Sequence, residues 1–335
     1  MENKKLTIVI AVAQEKTRRK DALDVLRCKE SVEKALIKNG FLVKSIYVKK
    51  EDFKNPEALI KIILKLKPHS VFNLFEGFSD DSKKEAEFAK LLEGAAIRFT
   101  GSLSYTLDTC LDKIKTKGIL SHYDIPVPRG IFVNRTDNIS IDSLFFPLFI
   151  KPALEDASLG IDSSSLVVKR KALRSVVEKK IKEFPTGLII EEFIAGCEYN
   201  VALLGNFPYK LLGISVLDYS KYKTGLPFLS YPAKWDSSFP EYKILFPSLD
   251  AKIKDSLRKK IIALSIKTAK ILGCRGYCRI DLREKNGNIF ILDVNPNPDI
   301  NKDSGFINQA CQEGFTYEDI VTKIVNLSLD PNFKI

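Results

Sequence analysis

The chain has 335 residues, 45% apolar and 28% charged, which excludes a collagen-like, low-complexity or disordered chain and one too short to build a core. Lysine and arginine total 53 against 42 aspartates and glutamates, and the net charge of +11 favours anionic partners: phosphate-bearing substrates, acidic lipid or nucleic acid. The basic clusters (Arg18-Arg19-Lys20, Lys49-Lys50, Lys169-Arg170-Lys171, Lys259-Lys260) are scattered among acidic residues, which reads as a solvated lysine-rich surface rather than a nucleic-acid face.

Leu6 to Val12 reads as a buried strand. Lys4-Lys5 before it and Ala11-Val12-Ala13 at its end imitate a short signal peptide, but no other export feature follows, and a cytoplasmic protein is expected. The spacing predicts a helix over 28–39 ending at Gly40, a strand over 41–48, and a helix opened by Asn55-Pro56, an N-cap followed by proline at the first helical position. A strand over 70–75 and a helix opened by the capping box Ser82-Lys83-Lys84-Glu85 complete a small parallel α/β layer. A helix over 106–121, the stiff Ile125-Pro126-Val127-Pro128, strands near 130–133, 147–151 and 164–168, a polar loop at 154–160 and a helix over 170–183 form a second unit. Strands at 188–193 and 197–217 then lead through an irregular stretch, 218–250, to an amphipathic helix over 251–272 that Asp250 can cap, a hairpin over 275–295 and two closing helices, the second opened by Thr316-Tyr317-Glu318-Asp319. No apolar run approaches the ~20 residues of a membrane span. The six cysteines and two histidines are too dispersed for a zinc site or disulfide framework, so reduced thiols are expected.

The hairpin carries the chemistry. Side chains alternate along a strand, so Arg279 and Asp281 share a face, as do Asp293 and Asn295 on the return strand. A two-residue Asn286-Gly287 turn pairs Lys285 with Asn288 and sends Asp293 to the face opposite Asp281; a three-residue loop pairs Lys285 with Ile289 and sets Asp281 against Asp293 and Arg279 against Asn295. The second register gathers two carboxylates and an amide oxygen, hard ligands that suit magnesium bridging to nucleotide phosphates. A surface hairpin with a solvated polar face has the same spacing.

With these residues the sequence resembles the ATP-grasp ligases, most closely the D-alanine–D-alanine ligase type. The resemblance runs from about Val71 onward on an ordered set of motifs: Leu111-Asp112-Lys113, Phe149-Ile150-Lys151-Pro152, Ile190-Glu191-Glu192-Phe193, Cys197-Glu198-Tyr199, Ala233-Lys234-Trp235, Arg279-Ile280-Asp281 and Asp293-Val294-Asn295. It implies that Lys113 and Lys151 contact ATP phosphates or the adenine-side pocket and that Lys234 holds the terminal phosphate. Glu191, beside Glu192, and the backbone around Phe193 and Ile194 would read the adenine edge. Glu198 would bind the ribose hydroxyls, Phe228 would pack on the base, and Ser158 would sit in the phosphate-covering loop. Asp281, Asp293 and Asn295 would hold one or two magnesium (or manganese) ions, Arg279 would stabilise the oxyanion, and Ser304 would meet the second substrate's carboxylate.

The match departs from the family at several positions. The phosphate-covering loop, in the family like E-G-S-S-x-G, is Glu155-Asp156-Ala157-Ser158-Leu159-Gly160, and Asp293 replaces a glutamate. The loop after the first strand reads Ala13-Gln14-Glu15-Lys16-Thr17-Arg18-Arg19 where the family has Gly-Gly and a glutamate. Glu76-Gly77 stands where His-Gly is expected, Asp299 replaces an oxyanion-hole glycine, and Trp235 replaces a tyrosine. The ATP half is retained and the amino-acid half rewritten, which points to a different acceptor.

The resemblance implies an α/β (α+β ATP-grasp) fold in three parts: an N-terminal α/β domain over 1–98, a central ATP-grasp subdomain over 99–187 and a C-terminal catalytic subdomain over 188–335. It implies an ADP-forming carboxylate–amine ligase acting through an acyl phosphate, with ATP and Mg2+ (or Mn2+). The expected partners are small-molecule amino acids or amines, with no nucleic acid and no membrane, and a homodimer left open. The alternative is a non-catalytic nucleotide-binding regulatory or scaffold protein of the same fold.

Overall fold

The computed structural model describes residues 5–137, 139–217, 219, 227–242 and 253–331. The first sheet is parallel, in the order β2-β1-β3, from β1 (Thr7–Ala13), β2 (Leu42–Val48) and β3 (Ser70–Asn73). Nearly every residue of β1 is buried, as a central parallel strand covered on both faces must be. Ile8 and Ile10 pack on Val32 and Leu36 of α1 (Lys20–Lys38). Val9 and Ala11 pack on Leu59 and Ile63 of α2 (Pro56–Lys65) and Phe88 of α3 (Lys84–Gly94).

Two antiparallel sheets follow. After α4 (Ser104–Leu111) and α5 (Lys113–His122), the second sheet runs β4-β7-β5-β6, from β4 (Gly130–Val133), β5 (Leu148–Pro152), β6 (Leu166–Val167) and β7 (Leu188–Glu192), with α6 (Arg170–Glu183) on its apolar face. The third runs β11-β10-β8-β9, from β8 (Cys197–Leu204), β9 (Lys210–Leu217), β10 (Tyr277–Lys285) and β11 (Asn288–Asn295). The short α7 (Tyr231–Trp235) and the long α8 (Asp255–Ile271) lie between β9 and β10 in sequence, and α9 (Gly305–Gln312) and α10 (Tyr317–Leu329) close the described chain.

The faces of the third sheet are sorted by strand alternation. Val201, Leu203, Ile280, Leu282 and Ile291 pack under α8 through Ile261 and Ala269, and against Leu272 just past its end. On the opposite face, Ala202, Leu204 and Tyr277 pack with Phe306 and Ile307 of α9, while further along Glu198, Asn200, Asp281 and Arg283 make the same face polar. Ile320 and Ile324 of α10 return to the cluster around Ile8 and Ile10, so the end of the chain covers the first sheet.

Several elements differ from their sequence reading. Helix α1 begins at Lys20 rather than 28; its first turns carry exposed Leu23 and Leu26, so no buried stripe marks them in the sequence. The Ser82 capping box does not form: α3 starts after Lys83 with no side-chain cap, and Glu85 instead accepts a hydrogen bond from Asn297 Nδ2 at 3.1 Å. The stretch 106–121 is two helices, broken where the Asp112 carboxylate caps α5 by accepting from Ile114 N (2.9 Å) and Lys115 N (3.0 Å). The strand near 164–168 shrinks to Leu166–Val167 behind a 3-10 turn, Ser163–Ser165. The Asp250 cap and much of the 218–250 stretch lie outside the described residues.

The hairpin register combines the two alternatives. Lys285 pairs with Asn288 across a two-residue turn, with both Asn286 (φ 53°) and Gly287 (φ 83°) left-handed, as a type I′ turn requires. A bulge then corrects the parity: Leu282 pairs with Ile291 but Asp281 pairs with Asp293, leaving Leu292 as the extra residue. Asp281 therefore faces Asp293, and Arg279 faces Asn295, despite the shorter turn.

Candidate active site

Asp281 is the centre of the polar face. Its Oδ1 accepts from Arg279 Nε (2.7 Å) and from Asn200 Nδ2 (2.7 Å), the latter from the directly opposed residue of β8. Its Oδ2 accepts from Arg279 Nη2 (2.8 Å) and Asn295 Nδ2 (3.0 Å). These four bonds match the roughly four lone-pair sites of a carboxylate. Burial pushes the Asp281 carboxyl up, against the opposing pull of Arg279. Two residues on, Arg283 donates through Nε (2.9 Å) and Nη2 (2.6 Å) to Glu198 Oε2 and through Nη1 to the Ile194 carbonyl (3.0 Å), and it also bonds the Pro227 carbonyl.

A group of lysines faces these strands from α5 and β5. Lys117 and Lys151 both donate to the carbonyl of Leu292, at 3.3 Å each, the carbonyl of the bulged residue. The same two ammoniums pair with Glu191 of β7, at 2.8 and 3.5 Å. Burial lowers Lys117, with Glu191 pulling the other way. Lys113, one turn before Lys117 on α5, donates to the Glu155 carbonyl (2.5 Å) and lies 3.4 Å from Asp156 and 3.7 Å from Asp293. Burial opposes its charge, but Asp293 and Asp156 outweigh that and hold the ammonium above its ordinary range. Burial works equally against Asp293, yet Lys113, Lys151 and Lys117 together hold it below the usual carboxylate range. The bulge thus puts Asp293 between Asp281 and three lysines.

The loop over 154–160 is tied down from several sides. Trp235 Nε1 donates to the Ala157 carbonyl (3.0 Å), Tyr231 N to the Ile161 carbonyl (2.9 Å), and the buried Lys180 of α6 to the Gly160 carbonyl (2.7 Å). Ala157 (φ 53°), Ser158 (φ 64°) and Gly160 (φ 73°) are left-handed, a backbone shape that only Gly160 adopts without steric cost. Ser230 caps α7 and so fixes Lys234, whose ammonium lies over the Trp235 ring at 4.8 Å and is lowered by burial and by Arg279.

Between the second and third sheets lies a cleft of about 650 Å³. Lys151, Ser158, Glu191, Glu192, Phe193, Ile194, Glu198, Phe228, Lys234, Arg279, Asp281, Asp293 and Ser304 all line it. Phe228 packs edge-on against Phe149 (4.9 Å between centroids), which in turn lies 5.9 Å from Phe193. Lys113 stands behind the cleft wall, and Asn295 lines an adjoining cavity of about 160 Å³. The Ser304 hydroxyl caps α9 by accepting from Ile307 N at 3.3 Å. Sequence reasoning missed Lys117, Asn200 and Arg283. Each follows a residue it did single out by one helical turn or one strand repeat, which was the available signal.

A family model described as D-ala D-ala ligase C-terminus matches residues 119–326. The chain is 29% identical over 316 residues to the D-alanine–D-alanine ligase of Carboxydothermus hydrogenoformans, covering 91% of this chain and 93% of that protein. Among solved structures, D-alanine–D-alanine ligase from Bacillus anthracis complexed with ATP matches with a TM-score of 0.76 at 19% identity over 97% of each chain. The VanG D-Ala:D-Ser ligase from Enterococcus faecalis matches with a TM-score of 0.73 at 20% identity, over 97% of this chain and 100% of that one. The fold is therefore the ATP-grasp fold that the motifs suggested.

Proposed function

Because the chain belongs to the D-ala D-ala ligase C-terminus family, we propose that it is an ATP-dependent, ADP-forming ligase that joins a carboxylate to an amine. The observation that carries this reading is the opposition of Asp281 and Asp293 on the wall of a cleft bordered by Lys151 and Lys234. Asp293 and the Asn295 amide oxygen are hard donors that suit magnesium or manganese, and Asp281 would join them by exchanging one of its four hydrogen-bond donors for the ion. Among the described residues no group of three His, Cys, Asp or Glu side chains could hold a metal ion by itself, so nucleotide phosphates and water would complete such an ion's shell. When bound, the ion supplies charge neutralisation on the transferring phosphoryl group.

The chemistry runs in two steps. A substrate carboxylate oxygen attacks the γ-phosphorus, the bond to the β-phosphate oxygen breaks, and ADP leaves. The acyl phosphate so formed has the leaving group that a free carboxylate lacks. An unprotonated amine then attacks its carbonyl carbon; phosphate leaves with the bonding pair, and the nitrogen loses a proton to give the amide. Lys151 and Lys234 oppose the charge of the phosphates. Phe149, Phe193 and Phe228 offer an apolar wall for the base, and Glu198, held by Arg283, is oriented toward the cleft for the ribose. Arg279 lines both the cleft and the adjoining cavity, a position that suits the oxyanion of the second step.

An ADP-release screen with ATP and Mg2+ or Mn2+ over paired L- and D-amino acids and amines tests the proposal. Stimulated release is expected, and Lys234→Ala and Asp281→Asn are each expected to abolish it with the circular dichroism spectrum unchanged. ATP binding without stimulated release from any pair would overturn the ligase reading in favour of a nucleotide-binding scaffold, and wild-type turnover in either variant would overturn the assigned roles.

A further inference from the structure

More acidic than basic side chains line the cavity beside the cleft. Lys234, Arg279, Asp24 and Asp299 lie on the border of both spaces, and Glu76 and Glu85 line the smaller cavity alone. The one arginine confined to the smaller cavity, Arg19, is committed to Asp21 and the Ser79 carbonyl. Among the described residues no lysine or arginine forms an ion pair with Glu76, Glu85 or Asp299, and Asp24 has only the exposed Arg27 at 3.7 Å. Desolvation within the cavity, reinforced by acidic neighbours, pushes the half-buried Glu85 up to about 8 and pushes the more exposed Glu76 in the same direction.

A second, independent observation concerns Asn301, which lines this cavity and is 2% exposed. Its Nδ2 donates to Asp24 Oδ2 (2.6 Å) and Asp299 Oδ1 (3.0 Å), which fixes the amide and leaves Oδ1 as an acceptor. That Oδ1 is buried and receives no donor. An orphaned buried acceptor beside two carboxylates is costly unless a donor arrives, and a positively charged donor satisfies all three groups together. The neighbouring Asn73 offers a buried Nδ2 donor without an acceptor, which suits a lone pair or a carboxylate on the same ligand.

Resting on the ligase reading above, we propose that this cavity takes the amine substrate, and that this substrate carries a second ammonium group besides the one that reacts: a short aliphatic diamine or a diamino acid. Acidic side chains outnumber the basic ones that line the cavity (Arg19, Lys234 and Arg279), and a neutral amino acid, with one ammonium and one carboxylate, leaves that balance unchanged. A second ammonium adds a cation facing Asp24, Asp299 and the Asn301 acceptor and favours ionisation of Glu76 and Glu85. A water needs roughly 10–15 Å³ of such space, so about 160 Å³ admits a chain of several heavy atoms.

The test measures binding apart from turnover. The full chain, saturated with ADP and Mg2+, is titrated calorimetrically with 1,4-diaminobutane, D- and L-ornithine and D- and L-alanine. A diamine or an ornithine is expected to bind at least about tenfold more tightly than alanine, and Glu76→Gln/Glu85→Gln and Asp299→Asn are each expected to weaken that binding by about tenfold or more. ADP affinity in each variant checks that it has folded. Tightest binding of the diamine assigns an amine without a carboxylate; tightest binding of one ornithine assigns a diamino acid. Alanine binding as tightly as both, or dicationic binding unchanged in the variants, would overturn the proposal. ADP release stimulated by neutral amino acids alone would overturn it while leaving the ligase reading intact. Variant-sensitive diamine binding without stimulated release by any amine would uphold the cavity's ligand class and overturn the ligase reading instead.

Discussion

Replacing Arg283 with methionine isolates one buried ion pair of the candidate site. The side chain of Arg283 is 3% exposed and that of Glu198 14%, and two nitrogens of the guanidinium share one carboxylate oxygen. Methionine keeps much of the stem's volume but strands the carboxylate beside β10 and removes the donors of the Ile194 and Pro227 carbonyls. Removing one partner of a buried pair costs about 3–5 kcal/mol, because the remaining charge stays desolvated. Urea denaturation of Arg283→Met is expected to show a loss of that size, with the transition midpoint lowered and the slope unchanged. Adding Glu198→Gln removes the stranded charge, so the double variant is expected to be more stable than Arg283→Met alone, with a coupling energy of about 2 kcal/mol or more from the cycle. The KM for ATP is expected to rise in Arg283→Met, since Glu198 loses its orientation. A loss below about 1 kcal/mol, or coupling near zero, would refute the reasoning.

Glu85 has a folded-state pKa raised to about 8 by burial, so its contribution to stability is fully present below the ordinary carboxylate value and is lost as pH rises from about 4.5 through 8. Wild type is therefore expected to lose more stability than Glu85→Gln between pH 5 and pH 8.5 in thermal unfolding; parallel profiles would contradict this. Lys180→Met is expected to lower stability by about 1–3 kcal/mol and to raise the KM for ATP, because the Gly160 carbonyl and Asp162 lose their buried donor. An unchanged KM would separate that lysine from the phosphate-covering loop.

The hairpin shows how much of the site was legible in the sequence. Strand alternation brought Asp281 and Asp293 within one hypothesis, but by a longer turn. Asn286-Gly287 is the strongest short-range signal in the segment and keeps its two-residue turn; the parity is repaired further along, at Leu292, by a bulge that no local residue type announces. The partners of Glu198 and Glu191 were hidden for a related reason. Arg283 and Lys117 meet them only through strand pairing and helix docking, which periodicity does not encode. The early start of α1 has a local cause, since an exposed first turn carries no apolar stripe, whereas the failed Ser82 cap goes with the long-range partner that Glu85 finds in Asn297. The lysines at strand and helix ends, by contrast, stood out through their motifs.

The carbonyl of Leu292 has a consequence for how this protein tolerates change. It joins two ammonium groups to the strand that bears Asp293, yet it belongs to the main chain, so every side-chain substitution at position 292 leaves it in place. An alanine scan would pass over it silently. Swapping that peptide link for an ester, whose carbonyl is a poorer acceptor, would expose its contribution while every genetically encoded letter stays the same.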